Sequence, residues 1–445
     1  MTDAPTGGVT AVVLYAVAGA LTGCVAGCIP SFHVYTLMGA ALLFDGSVLI
    51  AHGGAGLVPF SVGLVASWAI VNTMPAVLLS APDESALFTV LPGQRYFMLR
   101  RGHEAVALAG LGAAGALLLL LAALPFAPAV LPKVHAVLSP HYHWMLWTVI
   151  AFLLMSEWPK GRTAALAPWD RFAAGGANVL AGLATFALSG LLGFLLFYRP
   201  PLPIERASQN LMPVFAGLFA APWLIFNLIA RLDLPRQHPV RSVDVDARAL
   251  LHGLFAGVLG GAFAAFVPVV SGGVGGLLAG HATSTRDERA FLVSQGASKA
   301  MYYAGGLMLL FVPGLAVARG GAAWMIQSVH LPDTADFGQA LLALAMGGAV
   351  AILLLPFCAR TMVALAARVG YRTLSAAAFV AILAMVARTT GWMGLALMAV
   401  STGIGLIPVL FDARRMNCLG VILLPLACNM SGVGAAVAEG LGLMR

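Results

Sequence analysis

A chain of 445 residues that is 60% hydrophobic and only 9% charged is no ordinary water-soluble domain, in which about a quarter of residues carry charge. With a mean hydropathy of +0.94 and apolar runs of 18 or more residues from end to end, it reads as an all-α polytopic membrane protein. Each run can span a roughly 30 Å hydrocarbon core as a helix, whereas barrel strands would alternate polar and apolar residues; the formal charge of +7 suits loops facing anionic lipid and implies no nucleic-acid partner.

The N-terminus, MTDAPTGGVT, has an aspartate and no basic residue, so it lacks the n-region of a cleaved signal and the first apolar segment is expected to stay. Apolar segments then fall near 9–29, 36–51, 56–79, 104–132, 141–157, 172–197 and 210–230. The polar stretch RLDLPRQHPVRSVDVDAR, residues 231–248, divides the chain. Further segments fall near 250–267, 269–282, 291–317, 336–358, 373–388, 391–411 and 417–437, about fourteen in all. Counted this way, Arg95, Arg100 and Arg101, then Lys160, Arg162 and Arg171, then Arg231, Arg236, Arg241 and Arg248 share one face of the membrane. Arg286, Arg289, Arg360, Arg368, Arg372, Arg414 and Arg415 join them, and Arg319 is the exception. The positive-inside rule makes that face cytoplasmic, which predicts a multi-pass protein of the cytoplasmic (inner) membrane with its N-terminus outside.

Two stretches share a pattern. Gly19 and Gly23 precede Pro30 at the spacing at which Gly257 and Gly261 precede Pro268. Each proline stops a helix and frees backbone groups on either side of it. The residues that follow are SFHVYT in the first case and VVSGGVGG in the second. One stretch begins outside and the other inside, so the pattern predicts two inverted repeats, 1–230 and 249–445, joined by a cytoplasmic linker at 231–248. Irregular backbone at membrane depth is tolerated where it is buried in protein or lines a watery cavity. Interrupted helices of inverted repeats form midplane binding sites in many secondary transporters. On this reading Pro30, Ser31, His33, Tyr35 and Thr36 form one binding element. Pro268, Ser271, Gly272 and Gly273 form the other, the glycines presenting backbone amides as an anion nest. The alternative for each is a plain turn between short helices.

Further along, APDESALFTVLPGQR places Asp83 and Glu84 beside an apolar run. Either could bind a coupling proton or sodium ion, or cap the helix after Pro82. The segment DERAFLVSQGASKAMYY carries Ser294, Gln295, Ser298 and Lys299 into an apolar segment, a face suited to a transport path. Lys299 would either neutralise an anion or snorkel to the interface. His141 and His143, beside aromatics, fit an interfacial belt. The five cysteines lie in or beside apolar runs and suggest neither a disulfide framework nor a metal site. No nucleotide motif or nucleophile with its base is present, so no cofactor is expected beyond a coupling ion.

Four pieces, GALTGCVAGCIPSFHVYT, LLSAPDESALFTVLPGQRYFMLRRGHEAV, DERAFLVSQGASKAMYY and RRMNCLGVILLPL, resemble the large membrane subunit of the tripartite tricarboxylate transporter family (TctA), above all its compact, archaeal-type branch. The resemblance implies inverted repeats with re-entrant helices and ion-coupled uptake of tricarboxylates or other organic anions. It carries over Pro30, His33, Pro268, Ser271, Asp83 and Glu84 as substrate-region residues, and a small membrane subunit and an extracytoplasmic binding protein as partners. A homodimer is compatible with it. The sequence departs from the family pattern where Ser31 and Val269 replace glycines after the two prolines, and where Gln94 replaces a histidine. Loss of the glycines bears on how closely the backbone can approach a small carboxylate. Two other readings remain open: a carrier of a lipid-linked anion such as a polyprenyl phosphate, and, less well supported, an intramembrane enzyme using His33 and Asp83.

Overall fold

The computed structural model describes residues 6–29, 33, 34, 37–39, 56–79, 85, 87–158, 167–202, 210–229, 235–238, 242–283 and 287–444, and among these the regular structure is helical throughout. In chain order the helices are α1 (Thr6–Gly27), α2 (Leu57–Val71), α3 (Thr73–Leu78), α4 (Val90–Met98), α5 (Gly102–Ala123), α6 (Ala127–Leu138), α7 (Tyr142–Met155), α8 (Pro168–Tyr198), α9 (Leu211–Phe215) and α10 (Ala221–Ile229). The second half adds α11 (Ala247–Phe266), α12 (Gly272–Ala282), α13 (Glu288–Ala300), α14 (Gly306–Phe311), α15 (Gly320–Gln327), α16 (Thr334–Val369), α17 (Tyr371–Leu410), α18 (Gly420–Met430) and α19 (Gly434–Gly440).

Local chemistry sets many of the ends. Asp246 and Asp287 cap α11 and α13 through their carboxylates, and Asp333 with Asp336 forms a capping box at the start of α16. Gly370, at φ 85°, ends that helix, and Gly391, at φ 70° and ψ −158°, breaks α17 in two. That backbone shape is open to glycine and to almost nothing else. π-helical turns at Ala216–Ala220 and Met301–Gly305 interrupt the runs α9–α10 and α13–α14. The chain turns by 117° between α18 and α19, where Gly432 adopts φ 75°.

Among the described residues, eight helices are long and apolar enough to cross a membrane, or nine if the bent pair at 415–440 counts as one span. Most of segment 36–51 of the sequence reading lies outside the described residues. Segment 269–282 proves to be an 11-residue helix, too short to cross at ~1.5 Å per residue. Segments 104–132 and 141–157 run together as one helical stretch, Gly102–Met155, because the prolines at 125 and 140 tighten it into single 3-10 turns without ending it.

The chain forms two compact units, and each draws one stretch from either side of the polar midpoint. The first comprises Met1–Val137 and Leu232–Leu374. At its centre lies α2, in which every residue except Phe60 is buried; a helix apolar all round belongs in the interior. Glycines let its neighbours approach to backbone contact. A Cβ on Gly19 of α1 would lie 2.0 Å from the Phe60 carbonyl oxygen, and one on Gly257 of α11 would lie 2.4 Å from that of Ser294 in α13. In the same way α16 meets α2 at Gly347 and Gly63, and α5 meets α13 at Ala109 and Gly296. The midpoint segment docks here as well: Gln237 accepts from the Gly102 amide (2.9 Å) and donates to the Phe97 carbonyl (3.0 Å).

The second unit comprises Leu138–Arg231 and Ser375–Arg445. Gly193 of α8 packs against Val421 of α18, and Gly405 of α17 packs against Leu218 in the π-helical turn. Small residues at helix crossings are the expected packing device in lipid, where no hydrophobic force holds helices together.

Candidate functional site

In the first unit, α11 stops at Phe266, two residues before Pro268, and α12 starts at Gly272. The helix is therefore interrupted at the second of the two prolines. Val269 occupies φ 63° within the break, a left-handed conformation in which a β-branched residue is a genuine outlier. Ser271 is the N-cap of α12, its Oγ accepting from the Val274 amide at 3.4 Å. The amides of Gly272 and Gly273 open the helix and have no acceptor among the described residues. Ser298 Oγ, on α13, donates to the Gly272 carbonyl at 2.7 Å and ties the two helices together. A Cβ on Gly272 would lie 3.0 Å from that of Tyr302 and one on Gly276 2.8 Å from Gln295 Nε2, so α12 seats closely on α13 and the π-helical turn that follows it.

Lys299 follows Ser298 and is only 1% exposed. Its ammonium donates to Asn72 Oδ1 at 2.8 Å and stands 4.8 Å from the ring centroid of the buried Trp68. An ammonium over an indole face is attracted by the ring quadrupole, by roughly 2 kcal/mol when desolvated. The side chain therefore points into the protein and does not snorkel to the interface. Tyr303, one turn on, meets Trp68 edge to face at 5.1 Å. Its hydroxyl is 3.3 Å from His33 Nε2, and the imidazole lies 5.5 Å from Trp68. His33, Trp68 and Asn72 from the first half of the chain thus surround Lys299 and Tyr303 from the second.

Of the residues singled out in the sequence, His33, Ser271, Gly272, Gly273, Ser298 and Pro268 are all in this unit. Ser271 and Ser298 both have a hydroxyl engaged in holding the interrupted helix. Pro30, Ser31, Tyr35, Thr36, Asp83 and Glu84 lie outside the described residues. Sequence reasoning missed Trp68, Asn72 and Tyr303. The available signal was a run of polar residues, Ser61, Ser67, Asn72 and Thr73, all buried within the apolar segment 56–79.

The second unit holds a polar cluster that sequence reasoning also missed. The carboxylate of Glu157, just beyond α7, is 5% exposed. It accepts from the Arg414 amide at 3.0 and 3.1 Å and from Asn417 Nδ2 at 2.7 Å. Burial pushes its pKa up, and these donors pull the other way. The cluster fixes the turn between α17 and α18.

Chemically, the first unit offers a buried ammonium, helix-start amides, an imidazole and a phenol, which can bind an anion. Among the described residues, no group of three or more His, Cys, Asp or Glu side chains could hold a metal ion.

Comparison with known proteins identifies the family. No solved structure matches the chain. The uncharacterized protein MJ1079 of Methanocaldococcus jannaschii is 24% identical over 366 residues, which cover 81% of this chain and 83% of that protein. The profile of the tripartite tricarboxylate transporter TctA family matches residues 13–420. With almost the whole chain matched and helices long enough to cross a membrane many times, this protein belongs to the TctA family of membrane transporters and is not an enzyme.

Proposed function

We propose that the chain is a secondary active transporter that takes an organic anion, a carboxylate or tricarboxylate, across the cytoplasmic membrane in symport with protons or sodium ions. The observation that carries this reading is the buried Lys299 ammonium beside the interrupted helix at Pro268. At an effective dielectric of ~20, a carboxylate about 4 Å from an ammonium is attracted by about 4 kcal/mol. The helix-start amides of Gly272 and Gly273 add a partial positive charge of the same sign. Ser271 and Ser298 hold those amides in place, and His33 and Tyr303 offer hydrogen bonds to the substrate's remaining oxygens. Pro30, Ser31, Tyr35 and Thr36 complete the site from the first half, with Asp83 or Glu84 taking the coupling ion.

The two halves, 1–230 and 249–445, are inverted repeats on this reading, with the N-terminus outside and the interrupted helices re-entrant. Matching packing supports it. The contact of α1 on α2 at Gly19 corresponds to that of α11 on α13 at Gly257, and the contact of α16 on α2 to that of α5 on α13. In the second unit Asn210, before α9, and Asn417, before α18, open the similar strings NLMPV and NCLGV. A small membrane subunit and an extracytoplasmic binding protein assist it, in keeping with the tripartite arrangement in the family's name.

The test is uptake into proteoliposomes of labelled citrate, with labelled polyprenyl phosphate as the competing cargo, with and without imposed proton and sodium gradients. Lys299→Gln should lower citrate uptake at least about tenfold, the loss of one charge-assisted contact. His33→Ala and Ser271→Val should lower it less, with monodisperse folded protein in each case. Undiminished uptake by K299Q, or gradient-independent movement of polyprenyl phosphate alone, overturns the proposal.

A further inference from the structure

The other unit holds a cluster of polar donors around Arg415 and Trp223. Arg415 opens the turn between α17 and α18. Its Nη2 donates to the Phe219 carbonyl, and its guanidinium stands 5.3 Å from the centroid of Trp223. Two donors there are enclosed and have no acceptor among the described residues: Arg415 Nε and Trp223 Nε1. Nor does any described carboxylate form an ion pair with Arg415; of the acids near this turn, Glu157 is taken up by the Arg414 amide and Asn417, and Asp412 is exposed. Enclosed charged and polar donors are normally paired, because leaving water without a partner is unfavourable for them. A guanidinium with a free edge and an indole N–H beside it match the acceptor oxygens of a phosphate group. The surroundings are apolar. Phe226 stacks on Trp223 at 5.6 Å and is 45% exposed, and Phe411, shortly before Arg415 in the chain, is 62% exposed.

We infer that Arg415 and Trp223 bind a phosphate oxyanion, supplied by a lipid headgroup or by free phosphate, with the indole turning aside from the guanidinium edge to admit it. The apolar rim would lie along the acyl chains of a bound lipid. The experiment is a thermal-shift titration of the full-length protein in neutral detergent with phosphatidylglycerol, with phosphatidylcholine as the control, and separately with inorganic phosphate. Wild type should be stabilised in a saturable way by phosphatidylglycerol and not by phosphatidylcholine; stabilisation by inorganic phosphate as well would make the free anion a ligand in its own right. Arg415→Gln should weaken the apparent affinity at least about tenfold and Trp223→Phe about threefold, as expected for losing a charged and a neutral donor. If R415Q does not fold, W223F, which keeps the ring, decides. No stabilisation of wild type by either phosphate source, or wild-type affinity in either variant, overturns the inference.

Discussion

Val269 shows what the departure from the family pattern means physically. The resemblance to TctA implies glycine after the second proline; this chain has valine there, and its backbone takes φ 63°. A left-handed conformation costs an L-residue about 1–2 kcal/mol, and β-branching makes it worse. The strain is borne because Ser271 caps α12 and Ser298 ties down Gly272, which fixes the break from both sides. Val269→Gly removes the strain but gives the unfolded chain more freedom, a loss of roughly 0.5–1 kcal/mol. The expected outcome is a fold at least as stable as wild type, by up to about 1 kcal/mol, read from thermal melts in detergent. A V269G protein that is clearly less stable would mean that the valine side chain contributes packing that outweighs its backbone strain.

At the scale of helices, glycine seams do the work that apolar driving force does in water-soluble proteins. A Cβ on Gly296 would lie 1.9 Å from the Ala109 carbonyl oxygen, and neither backbone can yield without moving its helix. Gly176 in α8 has nothing within 4 Å of the same position. Gly296→Ala should therefore destabilise by about 1–3 kcal/mol or more, while Gly176→Ala should stabilise by up to about 1 kcal/mol through helix propensity alone. Paired melts of G296A and G176A check the contrast, and equal effects would refute the close-packing account. Part of this level was legible in the sequence. The glycine pairs Gly19/Gly23 and Gly257/Gly261 and the stop before Pro268 could be read from spacing and from the missing proline N–H. Other features were not. The π-helical turn at Met301–Gly305 has no proline to mark it. Lys299 could be seen to lie in an apolar segment, but its pairing with Asn72, 227 residues away, depends on tertiary packing that periodicity does not encode. Counting apolar segments by length could not show that one of them holds an 11-residue helix, α12, or that 104–132 and 141–157 join through single 3-10 turns into one helical run.

At the scale of the whole molecule, the polar segment 231–248 divides the sequence in two, but the compact units do not follow that division. One unit joins 1–137 to 232–374 and the other joins 138–231 to 375–445. Pairing across hundreds of residues leaves no local trace, which is why the sequence predicted halves and could not predict how they interleave. The consequence is testable. In the first unit α2, from the first half, is buried against α16, from the second, and α13 against α5 in the same exchange. In the second unit α8 is buried against α18, and α17 against the turn at 216–220. A half expressed by itself would expose each of these faces, with its glycine backbones, to lipid, where small residues gain little. Cutting the chain between residues 239 and 241 should therefore give two fragments that do not survive separate purification as folded species, while co-expression restores one complex with the melting behaviour and citrate uptake of the intact protein. Size-exclusion chromatography of the tagged fragments reads the outcome. A first-half fragment that is monodisperse and melts cooperatively by itself would show that its helices find enough partners within their own half, and the interleaved account of the fold would fail.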